Sequence, residues 1–157
     1  MGPLLVVAVT LCELLSNPAA YDGKIVRVTG THLTGYEASL FEDPKCPNRA
    51  WIEFDENAER ETAPAVWKRW QNGYESSIEP CDPSTTYAYG HTVRMTVIAR
   101  VDAAKGKRYG HLNAFDVQLT ILKVESTGLV RGGHNPLAVV EEGKFTIPCS
   151  MVDRIPF

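Results

Sequence analysis

Lys105, Lys107, Arg108, Tyr109 and His111 bring cations, a phenol ring and an imidazole together within seven residues. With Tyr36 and Trp51 as further rings, these residue types suit single-stranded nucleic acid, where cations meet phosphates and flat rings stack on bases. A plainer reading competes with it: Lys-x-Lys-Arg is an ordinary solvated hairpin tip, and Trp51 is a core residue. The charge balance favours the plainer one. Against 19 acidic side chains stand 16 basic ones, a net charge of −3, with a pI near 5.8, whereas dedicated nucleic-acid binders carry a basic balance or stripe.

Nucleophilic chemistry would start from Ser39 or from a cysteine. No G-x-S-x-G elbow surrounds Ser39. Cys12 falls in a first helical turn, where a thiolate is favoured, but Leu11 and Glu13 offer neither base nor cation, so burial is the simpler account. His32, His91, His111 and His134 are scattered, and only His32 and His111 fall near the same expected barrel end. A metal site needs several ligands to converge with outer partners to orient them. Glu53, Asp55 and Glu56 cluster at a strand end and read as a solvated edge rather than a cation site. Gly132-Gly133-His134 lacks the helix that a phosphate-cradling loop requires. The expectation is therefore a non-enzyme with no catalytic residue, no metal and no cofactor.

Four cysteines, Cys12, Cys46, Cys81 and Cys149, form no CxxC pair, which argues against zinc. They are either buried thiols of a reducing compartment or disulfides of an oxidising one, and four cysteines allow three complete pairings. Cys46–Cys81 is the first expectation, because both flank a long polar excursion beside prolines. Closing a loop of that length adds roughly 4 kcal/mol in the chain-entropy account.

These residues need elements to position them, and the chain supplies a recognisable order. At 157 residues, 44% hydrophobic and 22% charged, it fits one globular domain with a real core. The apolar opening, Met1 to Val9, is too short to span a bilayer, and it lacks the basic flank and cleavage site of a complete signal peptide. It fits the remnant of a longer precursor as well as a start. Val6 stands where a myristoylation motif wants Ser or Thr. Nothing else approaches a membrane span.

Thr10 and Glu13 form a capping box ahead of Leu14-Leu15, so a short helix begins near Leu11 and stops at Asn17-Pro18. Lys24–Leu33 alternates as a strand, with Gly30 marking a bulge or a barrel corner. Glu37–Phe41 and Ala50–Phe54 follow as shorter strands. Residues 55–90 form an insertion with one helix that starts at Pro64 and puts Val66, Trp67 and Trp70 on one face. Thr92–Val101 is the best strand, with Val93, Met95, Val97, Ala99 and Val101 on its apolar side. After the basic loop, Phe115, Val117, Leu119 and Ile121 face one way on a last strand.

Five strands with a helix-bearing insertion between the third and fourth is the order of an OB-like Greek-key barrel. An SH3-like barrel or a small β-sandwich are the alternatives. The fold class is all-β with short helices, one domain over 1–157, an insertion at about 55–90 and an extension at about 127–157. In such a barrel a ligand lies between the loops joining strands 1–2 and 4–5, here bordered by Tyr36 and by Lys105–His111. The apolar tail (Phe145, Ile147, Met151, Val152, Ile155, Phe157) either extends the core or pairs with another copy.

Thr10 to His32, with its Cys-x-Leu-Leu helix, Asn-Pro, Tyr-Asp-Gly-Lys and Val-x-Val-x-Gly strand, resembles the opening of uncharacterised bacterial OB-like proteins that are often exported. Lys45–Phe54 and Tyr109–Glu125 are similar to further blocks of that family. The resemblance implies the barrel and an envelope or exterior location, and carries no activity. The leading expectation is a non-catalytic binding module with a protein or glycan partner. The alternative is an oligonucleotide-binding OB domain.

Overall fold

The capping box forms as the spacing predicts. In the computed structural model, which describes residues 2–35, 38–76, 86–87, 90–129 and 147–148, Glu13 N–H donates to Thr10 Oγ1 (3.2 Å) and Thr10 N–H to Glu13 Oε2 (3.0 Å). Helix α1 (Leu11–Ser16) therefore starts with its first donors satisfied. It buries Leu11, Leu14 and Leu15, each contributing about 1.5–3 kcal/mol relative to exposure.

Five strands close the barrel: β2 (Ile25–Gly35), β3 (Ala38–Glu42), β4 (Ala50–Phe54), β6 (Gly90–Asp102) and β7 (Gln118–Leu129). Their spatial order is β2-β3-β4-β7-β6, and β6 pairs back to β2. All pairings in the ring are antiparallel except β4 with β7, which is parallel. This is the expected all-β, five-stranded OB-like barrel, with short helices. Alternation does the work: Val26, Val28, Phe41, Ala50, Ile52, Val93, Met95, Val97, Ala99, Val101, Leu119 and Ile121 point inward, each at most 1% exposed.

Three local expectations change. Gly30 is not a bulge, because β2 and β6 keep an unbroken register from Ile25↔Arg100 to Gly35↔Gly90. The glycine stands just before Thr31, where β2 begins to pair with β3, and it allows close packing: a Cβ there would lie 2.9 Å from the Phe41 ring and 3.0 Å from Leu11. The irregularities fall between β6 and β7, at Thr96/Val97 and Ile98/Ala99. Beside them, Val124 N–H donates to Thr62 Oγ1 (3.0 Å), which anchors the insertion to the barrel.

The insertion carries two helices rather than one, α2 (Ala58–Glu61) and α3 (Pro64–Ser76). Phe115 lies in the loop before β7 rather than on the strand, because it pairs with Tyr109 across the loop. The N-terminal apolar run also gains a role: β1 (Val6–Ala8) pairs in parallel with the start of β2. A separate two-stranded pairing joins β5 (Thr86–Tyr87) to β8 (Ile147–Pro148). Tyr36, Cys81, His134, Cys149 and the rest of the tail lie outside the described residues.

Candidate binding surface

The loop between β6 and β7 is built from its own side chains. A turn at its start is closed by Lys107 N–H to the Ala104 carbonyl (3.0 Å). Tyr109 and Phe115 then exchange backbone hydrogen bonds of 2.9 and 3.1 Å. These isolate a tip at 110–114. Within the tip, Leu112 (φ 55) and Asn113 (φ 52) both adopt the left-handed region, which asparagine visits readily but which is unfavourable for leucine.

Arg108 holds that tip. Its Nε donates to the Asn113 carbonyl (3.1 Å), Nη2 to the Ala114 carbonyl (2.9 Å) and Nη1 to Asp116 Oδ1 (2.5 Å). From the other side, Trp51 packs on Gly110 and on Phe115, the ring centroids of the last pair being 5.5 Å apart. The Trp51 indole N–H donates to Glu53 Oε1 (2.6 Å).

This assembly sorts the residues read from sequence. Arg108 is committed to the loop's own carbonyls. Tyr109 is buried, and its hydroxyl accepts from Ala104 N–H (3.3 Å). Trp51 is half-buried under the loop, neither a core residue nor an open platform. Lys105, Lys107 and His111 are exposed, with the Lys107 ammonium 5.7 Å from the Tyr109 ring centroid. Sequence reasoning passed over Leu112, which is 84% exposed. Only its place between the polar residues His111 and Asn113 could have signalled it.

His32 and His111 do not share a barrel end. His32 pairs with Val93 near the start of β6, and His111 belongs to the loop that leaves the far end of that strand. His32 instead meets Ser39, the nucleophile candidate: Nε2 lies 3.2 Å from Ser39 Oγ. Ser39 donates to the Ile52 carbonyl (3.0 Å), and Trp70 Nε1–H approaches His32 Nδ1 (3.4 Å). A Ser–His pair acting as nucleophile and base needs a free hydroxyl proton facing the ring and an acceptor on the second ring nitrogen. Here the serine proton goes to a carbonyl and the second nitrogen faces a donor. Burial pushes the His32 pKa down to about 3, holding the ring neutral. The pair is a piece of polar core, with the His32 ring stacked on Trp70 and tilted against Phe54.

The disulfide joins Cys12 to Cys46, with Cα atoms 5.1 Å apart, so the expected Cys46–Cys81 pairing is wrong. The capped start of α1 presents Cys12 to the β3–β4 loop, whose Asp43 accepts from Lys45 N–H (3.0 Å) and faces Arg94 (3.6 Å). Sequence alone offers no signal for this approach. The linked segments wall a cleft of about 720 Å³ over the outer faces of β2 and β6. Arg27, Lys45, Arg94, Glu13, Asp43 and the hydroxyls of Thr10, Thr29 and Thr96 line it.

Glu53 is engaged by Trp51, and Asp55 caps Asn57 N–H (2.9 Å). Among the described residues, no group of three or more His, Cys, Asp or Glu converges to hold a metal. Compared with known proteins, the chain matches no family model, no curated protein and no solved structure.

Proposed function

We propose that this protein is a non-catalytic interaction module of the cell envelope or exterior, and that it binds through the β6–β7 loop. The observation that carries this reading is the clamp of Arg108 on a tip in unfavourable backbone geometry. Such strain persists where surrounding contacts over-determine it, typically at sites that engage ligands. Pre-organisation of this kind lowers the ordering cost of binding.

The location rests on the Cys12–Cys46 disulfide, a bond that persists in oxidising compartments. No helix among the described residues is long and apolar enough to cross a membrane. The resemblance to exported bacterial OB-like proteins points the same way.

The oligonucleotide alternative draws less support. Arg108 and Trp51 are already engaged, and Glu53 lies beside the ring that would stack. Titration of the oxidised protein with oligo-dT and oligo-U, followed by tryptophan fluorescence at low and physiological salt, separates the two. An interaction module leaves the fluorescence unchanged. Tight binding that weakens with salt and disappears on replacing Lys105 and Lys107 by Ala overturns the reading in favour of nucleic acid.

A further inference from the structure

We propose that the partner is a protein that takes the Leu112 side chain into an apolar pocket and surrounds it with carboxylates; this rests on the interaction-module reading above. Leu112 is 84% exposed and adopts a φ of 55, so neither packing nor backbone preference places it there. Asn113, its neighbour, also has a positive φ of 52. Two consecutive residues of this kind turn the tip outward, and the Arg108 hydrogen bonds to Asn113 and Ala114 fix that conformation. The result is one aliphatic side chain displayed on a rigid support, the form of a buried anchor at an interface.

The surroundings specify the rest of the partner. Residues 103–117 contain Lys105, Lys107 and Arg108 against Asp116 alone, while the whole chain is net −3. Asp116 is matched to Arg108, which leaves Lys105 and Lys107 as the exposed cations of the same β6–β7 loop. Complementary charge on a protein partner is acidic, and it steers association in a salt-dependent way. A single-stranded nucleic acid would satisfy the lysines, but it binds chiefly by stacking on rings, and Trp51 and Tyr109 are already packed within the protein.

The test uses the full oxidised chain with a photoreactive benzophenone side chain at Ala114, irradiated in an extract of the cells that produce the protein. The expected result is a protein adduct that excess unlabelled wild type suppresses several-fold, that excess Leu112→Ser does not suppress, and that weakens as salt rises. Suppression by Leu112→Ser as strong as by wild type overturns the role of Leu112 and leaves the module reading standing. An adduct removed by nuclease, or none that wild type suppresses, overturns both. A second measurement needs no partner. Leu112→Gly relieves the left-handed backbone, so its melting temperature equals or exceeds wild type; a clear fall means that Leu112 packs for stability and overturns the display.

Discussion

The Trp51 indole fills the space that a side chain at position 110 would need: a Cβ on Gly110 would sit 2.5 Å from Trp51 Cδ2. The β4 strand and the tip of the β6–β7 loop are thereby packed against each other, and Gly110 also has a φ of 74. Gly110→Ala meets both obstacles. It should cost about 1–3 kcal/mol through overpacking and strain and shift Trp51 into a more polar setting. Urea melts and a red-shifted tryptophan emission would report this. An alanine variant with native emission and stability would show that the contact carries no constraint.

Removing the staple should be felt by the whole barrel. Cys12 and Cys46 are separated by 34 residues, and closing a loop of that size is worth about 3–4 kcal/mol in the chain-entropy account. The Cys12→Ser/Cys46→Ser double variant, compared with wild type in urea under oxidising conditions, should lose most of that amount. Adding reductant should lower the wild type towards the variant and leave the variant unchanged.

Acid should weaken the fold through His32. Its pKa is near 3 when folded and about 6.5 when unfolded, so between those values the unfolded state binds more protons. The neutral ring's contribution is present in full above about pH 6.5 and is lost as pH falls towards 3. Its slope approaches about 1.4 kcal/mol per pH unit inside that window. His32→Leu should be less stable at neutral pH, but its stability should fall less between pH 7 and 4.5. Equal slopes for the two proteins would contradict a buried neutral histidine.

Arg108 should matter to the loop and little to the fold. The side chain is 49% exposed and its Asp116 partner 72% exposed, and exposed pairs contribute about 0–1 kcal/mol. Arg108→Ala should therefore leave the melting temperature almost unchanged while amide exchange accelerates at Tyr109, Asn113 and Phe115. Arg108→Lys should behave like Ala, because an ammonium cannot reach two carbonyls and a carboxylate as a planar fork does. Unaltered exchange in both variants would mean that the tip holds itself.

The features legible in the residues themselves were local. Alternation over Thr92–Val101 reports which side chains face inward, since successive residues on a strand point oppositely. Thr10 with Glu13 and Pro64 mark helix starts because they meet or remove donors that a first turn leaves unpaired. Those signals suffice for the order of strands and helices along the chain and for Trp67 and Trp70 packing on the core.

Contacts between distant parts of the chain carry no such local signal. Cys12 finds Cys46 because a helix start and a strand-connecting loop converge at the barrel wall, and spacing between cysteines does not encode that approach. His32, Ser39 and Trp70 come together by inward register on two strands and one helix face. Arg108 reads as a surface cation until Leu112 and Asn113 turn their backbone and bring carbonyls to its guanidinium. Leucine disfavours that conformation, so its propensity points away from it; the surrounding contacts impose it.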